Sequence, residues 1–296
     1  MSPSTEPAPS NLTAPLGSAA ASVSLKSWRN SVFVIFTLSG LAIATWVSRL
    51  PAVRDDLRLD TSEVGLLILG LAVGAVLGLV ASQQLLHLLG PRAGIALCMV
   101  LVAVGLAGIG ITATFVPELA LGMVSLAVLG FGNGAMDVMM NLEGSAAERA
   151  IGRTLLPLMH AFFSLGTVAG AALGAAASAL AVPVIWHLAV IAALIAVTGI
   201  VAVRFLPQHV ESEAEIAAAS GSGNGTKLRL RERLRESLAV WADTRLLLIG
   251  LIMLGMAFAE GSANDWLAIA TVDGHHQSNT TGAIVFGVFV AAMTVG

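Results

Sequence analysis

Charged residues are scarce in this sequence, and that scarcity excludes most soluble classes of protein. Asp, Glu, Lys and Arg make up 11% of the 296 residues, against roughly 25% in an average soluble domain. Hydrophobic residues make up 56%, and they form runs of about 20 residues, the length needed to span hydrocarbon. The composition predicts an integral membrane protein with the lipid bilayer as its surroundings. Nothing in it suggests a nucleic-acid partner.

Motifs for enzyme chemistry are also missing. The sequence has no Walker loop, no nucleophile with a base at recognisable spacing and no paired His and acid at metal spacing. His275 and His276 are adjacent, but no third ligand lies nearby. The single cysteine, Cys98, lies in an apolar run, so no internal disulfide is possible. These absences argue against an enzyme, against a metal or other cofactor, and against ATP as the direct energy source.

Aromatic residues amount to only 5% of the chain, and tyrosine is absent. Few flat surfaces are therefore available for stacking against a solute, whether a sugar or a drug. The first 25 residues also lack the apolar core of a secretory signal and are rich in Ser, Pro and Ala. We expect residues 1–29 to form a disordered cytoplasmic tail.

Eight apolar spans, the last incomplete, follow this tail. Their limits lie near 30–50, 63–86, 92–112, 115–141, 154–180, 183–206, 245–270 and 280–296. With a cytoplasmic amino terminus, twelve Lys and Arg residues lie inside and three lie outside. The three are Arg49, Arg54 and Arg58. This distribution fits the positive-inside rule and predicts that orientation.

The span order predicts an all-α integral membrane fold in two parts. Residues 30–206 are expected to form a six-helix amino-terminal bundle, residues 207–243 a cytoplasmic linker, and residues 244–296 the start of a carboxy-terminal bundle. The linker ends in KLRLRERLRESLAVW, which places leucines at helical spacing among arginines. An amphipathic interfacial helix and a basic topology signal with no further role both remain open.

Small residues recur at four-residue intervals in two of the spans. The ladders are Gly70, Gly74, Gly78 and Ser82 in span 2, and Gly166, Gly170, Gly174 and Ser178 in span 5. Such ladders predict helices whose backbones pack closely together. A faint repeat also relates SEVGLLILG (62–70) to TTGAIVFG (280–287), as expected for a transporter with two related halves.

A polar stripe interrupts span 4. Asn133, Asp137 and Asn141 recur every four residues and therefore share one helix face. Asp137 lies about 27 Å along the helix from its start, in the cytoplasmic third, and His160 of span 5 is expected at similar depth. Our hypothesis is that Asp137 and His160 form a proton-coupling site, with Asn133 and Asn141 binding solute.

Two simpler interpretations of these residues remain open. The acid belongs near a helix end, where cytoplasmic water would solvate it or Arg149 or Arg153 would pair with it. The histidine would then donate a hydrogen bond to a backbone carbonyl near a kink at Pro157.

Span 7 changes from apolar to polar at Glu260. Glu260 and Asn264 share one face, and Gly261 and Asp265 share another. The Gly and Ser residues favour a broken or flexible helix here. We expect Glu260 to bind a proton or solute, with Asn264 and Asp265 as further solute-binding candidates. Trp266 is either a stacking surface or an interface anchor.

Span 1 carries two more candidates near its outer end. Trp46 and Arg49 are expected to contact solute. Arg49 has two alternatives: it pairs with an acid such as Glu260 or Asp265, or it reaches the outer water.

Three segments together resemble the major facilitator superfamily, specifically its fucose-permease-like branch of bacterial inner-membrane permeases. They are ATWVSRLP (44–51), GNGAMDVMMNLEGSAAERAIGRTLLPLMHAFFSLGTVAGA (132–171) and AEGSANDW (259–266). The resemblance implies twelve spans in two six-helix bundles around a central cavity. It also implies that this chain is the truncated amino-terminal two thirds of such a protein.

The sequence departs from the family pattern at two places. In the loop between spans 2 and 3, which reads QQLLHLLGPR (83–92), His87 replaces the usual acid. The fucose permease has functional acids on spans 1 and 4, and only the span 4 acid, Asp137, has a counterpart here.

We therefore expect a monomeric secondary active transporter in the bacterial inner membrane, with its amino terminus in the cytoplasm. It would move a small polar solute such as a sugar by alternating access, with the proton gradient as energy source and no cofactor. The alternatives are a drug or metabolite efflux permease, and a non-transporting sensor that keeps a transporter fold.

Overall fold

The computed structural model describes residues 24–207 and 244–295. Their regular structure is entirely α-helical, which confirms the predicted all-α class for these ranges. The helices are α1 (Leu25–Leu57), α2 (Thr61–Phe115), α3 (Leu119–Ile151), α4 (Leu156–Ala179), α5 (Val184–Val203), α6 (Thr244–Gly274) and α7 (Asn279–Val295). Six of these are long and apolar enough to cross a membrane, and α7 is a shorter apolar helix.

Helix α2 supplies two of the predicted spans. It breaks at Gly90, whose φ of 71° and ψ of 173° lie outside the helical region. Glycine adopts this positive φ without the steric cost that a Cβ would bring. Pro91 then starts the second arm, because a proline needs no backbone N–H partner in a first helical turn. The chain thus reverses direction between the spans predicted at 63–86 and 92–112.

The limits of α1 and α3 differ from the sequence prediction. Helix α1 begins at Leu25, so residues 25–29, assigned to the tail, are helical. Helix α3 continues to Ile151 rather than ending near residue 141. The predicted basic helix of the linker lies outside the described residues.

The small-residue ladders pack as predicted. A Cβ added at Gly74 would collide with the backbone of Ala127 in α3, and one added at Gly166 would collide with the backbone of Thr37 in α1. The first arm of α2 therefore lies directly against α3, and α4 lies directly against α1. Helix α1 becomes the most enclosed of the apolar spans, with 78% of its most apolar window buried.

Helix α6 is continuous from Thr244 to Gly274. The helix is therefore not broken near Gly261, and the flexibility given as the alternative stays a prediction. The helix contains no proline, and a single glycine costs only about 1 kcal/mol in a helix interior. The backbone hydrogen bonds of a long helix outweigh that cost. Residues 247–260 of α6 are exposed, whereas its carboxyl part packs against the other helices.

The bundle has two distinct ends. We name the "turn end" as the end that carries the α1–α2 turn (58–60) and the α6–α7 turn (275–278). The opposite end carries the start of α1, the break at Gly90 and the α3–α4 turn. Asn279 of α7 contacts Asp55 of α1 at the turn end.

Candidate functional site

A cavity of about 110 Å³ lies where α1, α4, α6 and α7 meet. Its polar lining comes from Ser164 and Thr167 on α4 and from Glu260 and Asn264 on α6. The remaining lining is apolar and consists of Ile43, Ala44, Phe163, Phe286, Val290 and Met293. A carboxylate, an amide and two hydroxyls thus converge on a small space with apolar walls, which suits a small polar solute.

Glu260 and Asn264 share the face of α6 that the sequence predicted, and both line this cavity. Within the described residues, the Glu260 carboxylate takes part in no hydrogen bond or ion pair. Its oxygens are therefore available to a solute or a proton. The two residues reach the cavity because they lie one helical turn apart.

One face of α4 extends from the cavity toward the opposite end of the bundle. His160, Ser164 and Thr167 follow at intervals of four and three residues, so they lie along the same face. The Thr167 hydroxyl donates to the Ser164 carbonyl oxygen at 2.7 Å. Its lone pairs remain free to accept a hydrogen bond from a solute.

The polar stripe of α3 lies beside the part of that α4 face nearer the opposite end of the bundle. Asn141 Nδ2 donates to the main-chain oxygen of Asp137 at 2.8 Å and to its Oδ1 at 3.3 Å. Asn133 Oδ1 accepts a hydrogen bond from the Ser39 hydroxyl of α1 at 3.0 Å. The stripe therefore faces α1 and α4, and the Asp137 side chain remains exposed.

The structure brings Asp137 and His160 together. The Asp137 carboxylate interacts electrostatically with the His160 imidazole, although no hydrogen bond joins them in the part of the chain described. The edge of the imidazole packs against Phe36, with ring centroids 5.3 Å apart. Both side chains are exposed.

Among the simpler interpretations, an acid solvated by water stays open because the Asp137 side chain is exposed, but the predicted partners of the two residues are not found in the part of the chain that the structure describes. No ion pair links Asp137 to Arg149 or Arg153 among the described residues. Pro157 lies in the first turn of α4 and produces no kink there. His160 has no backbone carbonyl partner within the described ranges.

Trp46 and Arg49 lie away from the cavity. Trp46 is 1% exposed and belongs to the apolar core. Arg49 is 3% exposed, and its Nη2 donates to the Val182 carbonyl in the α4–α5 turn at 2.7 Å. It therefore neither reaches outer water nor pairs with Glu260 or Asp265. Helical spacing alone did not reveal that this face of α1 is covered by α4 and α5.

Asp265 and Trp266 are half-buried on other faces of α6. The Trp266 ring lies near Gly65 of α2 and packs against the core. Neither residue lines the 110 Å³ cavity. Of the six predicted solute-binding residues, Asn264 alone lines it.

Two buried polar residues were missed from the sequence. Glu143 is 1% exposed, and its Oε2 accepts a hydrogen bond from Trp28 Nε1 at 2.9 Å. His187 is 8% exposed beside Arg49, and both ring nitrogens are unpartnered within the described chain. Glu143 lies outside the span predicted at 115–141, whereas α3 continues to Ile151. Its position two residues beyond the polar stripe was the available signal.

Six long apolar helices and a small polar cavity among the described residues define a multi-pass membrane protein as the class of this chain. The chain belongs to the Major Facilitator Superfamily, whose family model matches residues 32–296. The family and the relatives below are transporters rather than enzymes, which confirms the prediction of a membrane protein without enzyme activity.

Several relatives are bacterial. An uncharacterized transporter, y4wD, of Sinorhizobium fredii is 30% identical over 92% of this chain and 66% of its own length. An uncharacterized MFS-type transporter of Yersinia pestis is 27% identical over 90% of this chain and 63% of its own. The chain thus spans about two thirds of the length of these curated relatives.

A solved structure has the same fold. The crystal structure of the nucleoside transporter NupG aligns with a TM-score of 0.59, covering 90% of this chain and 64% of that one. The sequences are 15% identical, so the likeness concerns the fold alone.

Proposed function

We propose that the protein is a proton-coupled secondary active transporter that moves a small polar solute by alternating access. One observation carries this proposal: the α4 face that bears His160, Ser164 and Thr167 connects the Asp137 pair with the Glu260 cavity. Asp137 of α3 lies beside one end of this α4 face, and Glu260 of α6 lies beside the other. The face therefore gives a proton site and a solute site a physical link. Intramembrane acids at such positions commonly belong to proton or substrate pathways.

The proton site in this proposal is the pair of Asp137 and His160. A carboxylate and an imidazole that lie close together can each bind and release a proton. Protonation of Asp137 removes a negative charge from the space between α3 and α4. That change alters the electrostatic balance between the two helices and so favours one conformation over the other.

The solute in this proposal is small and rich in hydroxyl groups, such as a monosaccharide. Glu260, Asn264, Ser164 and Thr167 provide acceptors and donors for such groups. The cavity volume of about 110 Å³ is well below the 300–1,000 Å³ of pockets that hold drug-sized ligands. It therefore supports a small solute over a drug.

The remaining features follow the same proposal. Helices α1–α5, with α2 contributing two spans, form a six-span bundle, and α6 and α7 begin a second one. We place the protein, as a monomer of the fucose-permease-like branch, in a bacterial inner membrane with its amino terminus in the cytoplasm. The bacterial relatives support that location.

Substitution of Asp137 tests the proposal. The protein is reconstituted in liposomes, screened for uptake of hydroxyl-rich solutes, and assayed with and without an inward proton gradient. Asp137→Asn should abolish gradient-driven uptake and retain solute exchange, because the amide cannot carry the proton but preserves the cavity.

Glu118→Gln is the matched control, since Glu118 is an exposed acid at the other end of the same helix and forms no side-chain cap. It should behave as wild type. Uptake of normal size and pH dependence in Asp137→Asn would show that this acid has no part in coupling.

A further inference from the structure

Buried polar atoms without partners gather at one place in the bundle. Six buried side-chain nitrogen and oxygen atoms have no hydrogen-bond partner within the described residues. Five of the six belong to Thr45 and Arg49 of α1 and to His187 of α5, and the sixth is Oε1 of Glu143. Buried polar groups in folded proteins are nearly always hydrogen-bonded. We call Thr45, Arg49 and His187 the donor cluster, and their unused atoms mark a place where a further group belongs.

The three side chains of the donor cluster are close together and enclosed. Thr45 and Arg49 lie one helical turn apart on the same face of α1. The Arg49 guanidinium interacts electrostatically with the His187 imidazole, and its Nη2 donates to the Val182 carbonyl just before α5. Thr45 is 0% exposed, Arg49 3% and His187 8%. The protein therefore shields the whole cluster from its surroundings.

The α4–α5 turn covers the donor cluster because α4 packs closely on α1. A Cβ added at Gly174 would collide with Ser48 Oγ and would lie 3.8 Å from His187 Cε1. Ala181 of the turn adopts a φ of 52°, a left-handed conformation that is unfavourable for a residue with a Cβ. The turn thus encloses the cluster at a cost in backbone strain.

The positive charge of Arg49 has no counter-charge at contact distance. No ion pair joins it to an acid in residues 24–207 and 244–295. Asp56, the acid with which it interacts electrostatically, is exposed and lies two turns further along α1, about 10 Å by helical rise. A guanidinium stays protonated in proteins, and a buried charge without a partner is strongly unfavourable. A negative charge is therefore expected beside it.

The unused atoms of the donor cluster suit an anion rather than a cation. Arg49 Nε and Nη1 can only donate, and a neutral imidazole donates through one of its two nitrogens. The Thr45 hydroxyl can donate as well as accept. A water molecule would accept hydrogen bonds from these groups but would not offset the charge. Because three helices surround the cluster, the anion must be small.

We propose that Thr45, Arg49 and His187 bind a small inorganic anion, of the size and charge of chloride, between α1 and the α4–α5 turn. The anion accepts hydrogen bonds from Arg49 Nε and Nη1, from Thr45 Oγ1 and from one ring nitrogen of His187. It neutralises the guanidinium and joins α1 to α5. None of the three residues lines the 110 Å³ cavity, so the site is additional to the one proposed for solute.

Thermal unfolding of the purified full chain in detergent tests the proposal, with chloride itself as the probe. The Tm is measured while sodium chloride replaces sodium gluconate at constant ionic strength, since gluconate is too large for the enclosed site. The Tm should increase steadily with the logarithm of the chloride concentration, because the ion binds the folded protein and not the unfolded one. Bromide should act in the same way.

Two substitutions locate the ion. Arg49→Met removes the charge and its donors, so the Tm of this variant should be the same in chloride and in gluconate. Thr45→Val keeps the shape of the side chain and removes one donor, which should shift the chloride dependence about tenfold to higher concentration. The controls are Arg58→Gln, at an exposed arginine of the same helix, and Thr112→Val, at a buried threonine of α2. Both should keep the wild-type dependence.

Equal Tm values of the wild-type protein in chloride and gluconate would overturn the proposal and would mean that water alone occupies the donors. Chloride stabilisation that persists unchanged in Arg49→Met and Thr45→Val would also contradict it, since the ion would then bind elsewhere. If Arg49→Met does not fold, the shift in Thr45→Val decides. The measurement uses neither solute nor proton gradient, so its result is independent of the proposed transport function.

Discussion

Asp137 and Glu260 are acids within apolar helices, and their surroundings differ. Asp137 interacts with an imidazole and with the amide of Asn141. Glu260 faces a cavity together with Asn264 and has no side-chain partner in the described ranges. A paired acid suits proton exchange, and an unpaired one suits solute binding.

Glu143 has a structural task instead. Its Oε2 accepts a hydrogen bond from Trp28 Nε1, which ties the start of α1 to the end of α3. Because the carboxyl group is 1% exposed, water cannot replace a lost donor.

Removal of that donor should therefore destabilise the protein. Trp28→Phe keeps an aromatic ring but leaves a buried oxygen without a partner, at a cost of about 1–3 kcal/mol. Thermal unfolding in detergent should show a Tm several degrees lower. Trp186→Phe, at a tryptophan that is 66% exposed, should leave the Tm nearly unchanged. Equal Tm values for both variants would show that the hydrogen bond between Trp28 and Glu143 does not stabilise the protein.

At the scale of residues, the sequence predicted which side chains share a helix face better than it predicted which helix covers that face. The stripe of Asn133, Asp137 and Asn141 and the shared face of Glu260 and Asn264 follow from helical periodicity. Periodicity says nothing about which helix covers a face, so Arg49 was expected in the cavity but lies under the α4–α5 turn. That information is in tertiary packing, between residues that are 133 positions apart.

Whole helices depend on the glycine ladders for their spacing. The backbone of α3 fills the place of a side chain at Gly74, and the backbone of α1 does so at Gly166. These ladders were predictable because small residues every fourth position have one dominant use in membranes. The continuity of α6 was not predictable. Gly and Ser occur both in broken helices and in continuous ones, and the sequence does not distinguish between these cases.

The same substitution, glycine to alanine, at two positions distinguishes a glycine at a helix contact from a glycine with no neighbour. Gly74→Ala should destabilise the protein by about 1–3 kcal/mol, because the methyl group forces α2 and α3 apart. Gly255→Ala, where nothing lies within 4 Å, should be neutral or stabilising by up to about 1 kcal/mol, the helix-propensity difference.

Thermal unfolding in one detergent provides the comparison. A Gly74→Ala protein as stable as Gly255→Ala would mean that α2 and α3 do not touch at this position.

At the scale of the whole molecule, the cavity exists only where α6 and α7 meet α1 and α4. Neither group of helices encloses it alone. The positions of Glu260 and Asn264 opposite Ser164 and Thr167 therefore depend on how the two groups dock. No local sequence pattern specifies that arrangement, although the repeat between 62–70 and 280–287 predicted two related parts.

Neighbouring acids on α6 provide a test of the docking. Glu260→Gln should raise the KM for solute uptake about tenfold or more, because a hydrogen bond to a charged group contributes about 1.5–3 kcal/mol. Asp265→Asn changes an acid that does not line the cavity and should leave KM unchanged. Transport kinetics in proteoliposomes supply both values.

The opposite result, with KM raised by Asp265→Asn and not by Glu260→Gln, would place another face of α6 toward the solute.

The burial of α1 also has a consequence for biosynthesis. This helix enters the membrane before the helices that enclose it have been made. The carbonyl partner of Arg49, that of Val182, is synthesised 133 residues later. At about 5–20 residues per second, synthesis of that stretch takes roughly 7–27 s. During this interval a guanidinium near the end of a nascent helix has no carbonyl partner from α5's turn. The insertion machinery, or water at the membrane surface, must solvate the guanidinium until the ribosome has synthesised the α4–α5 turn.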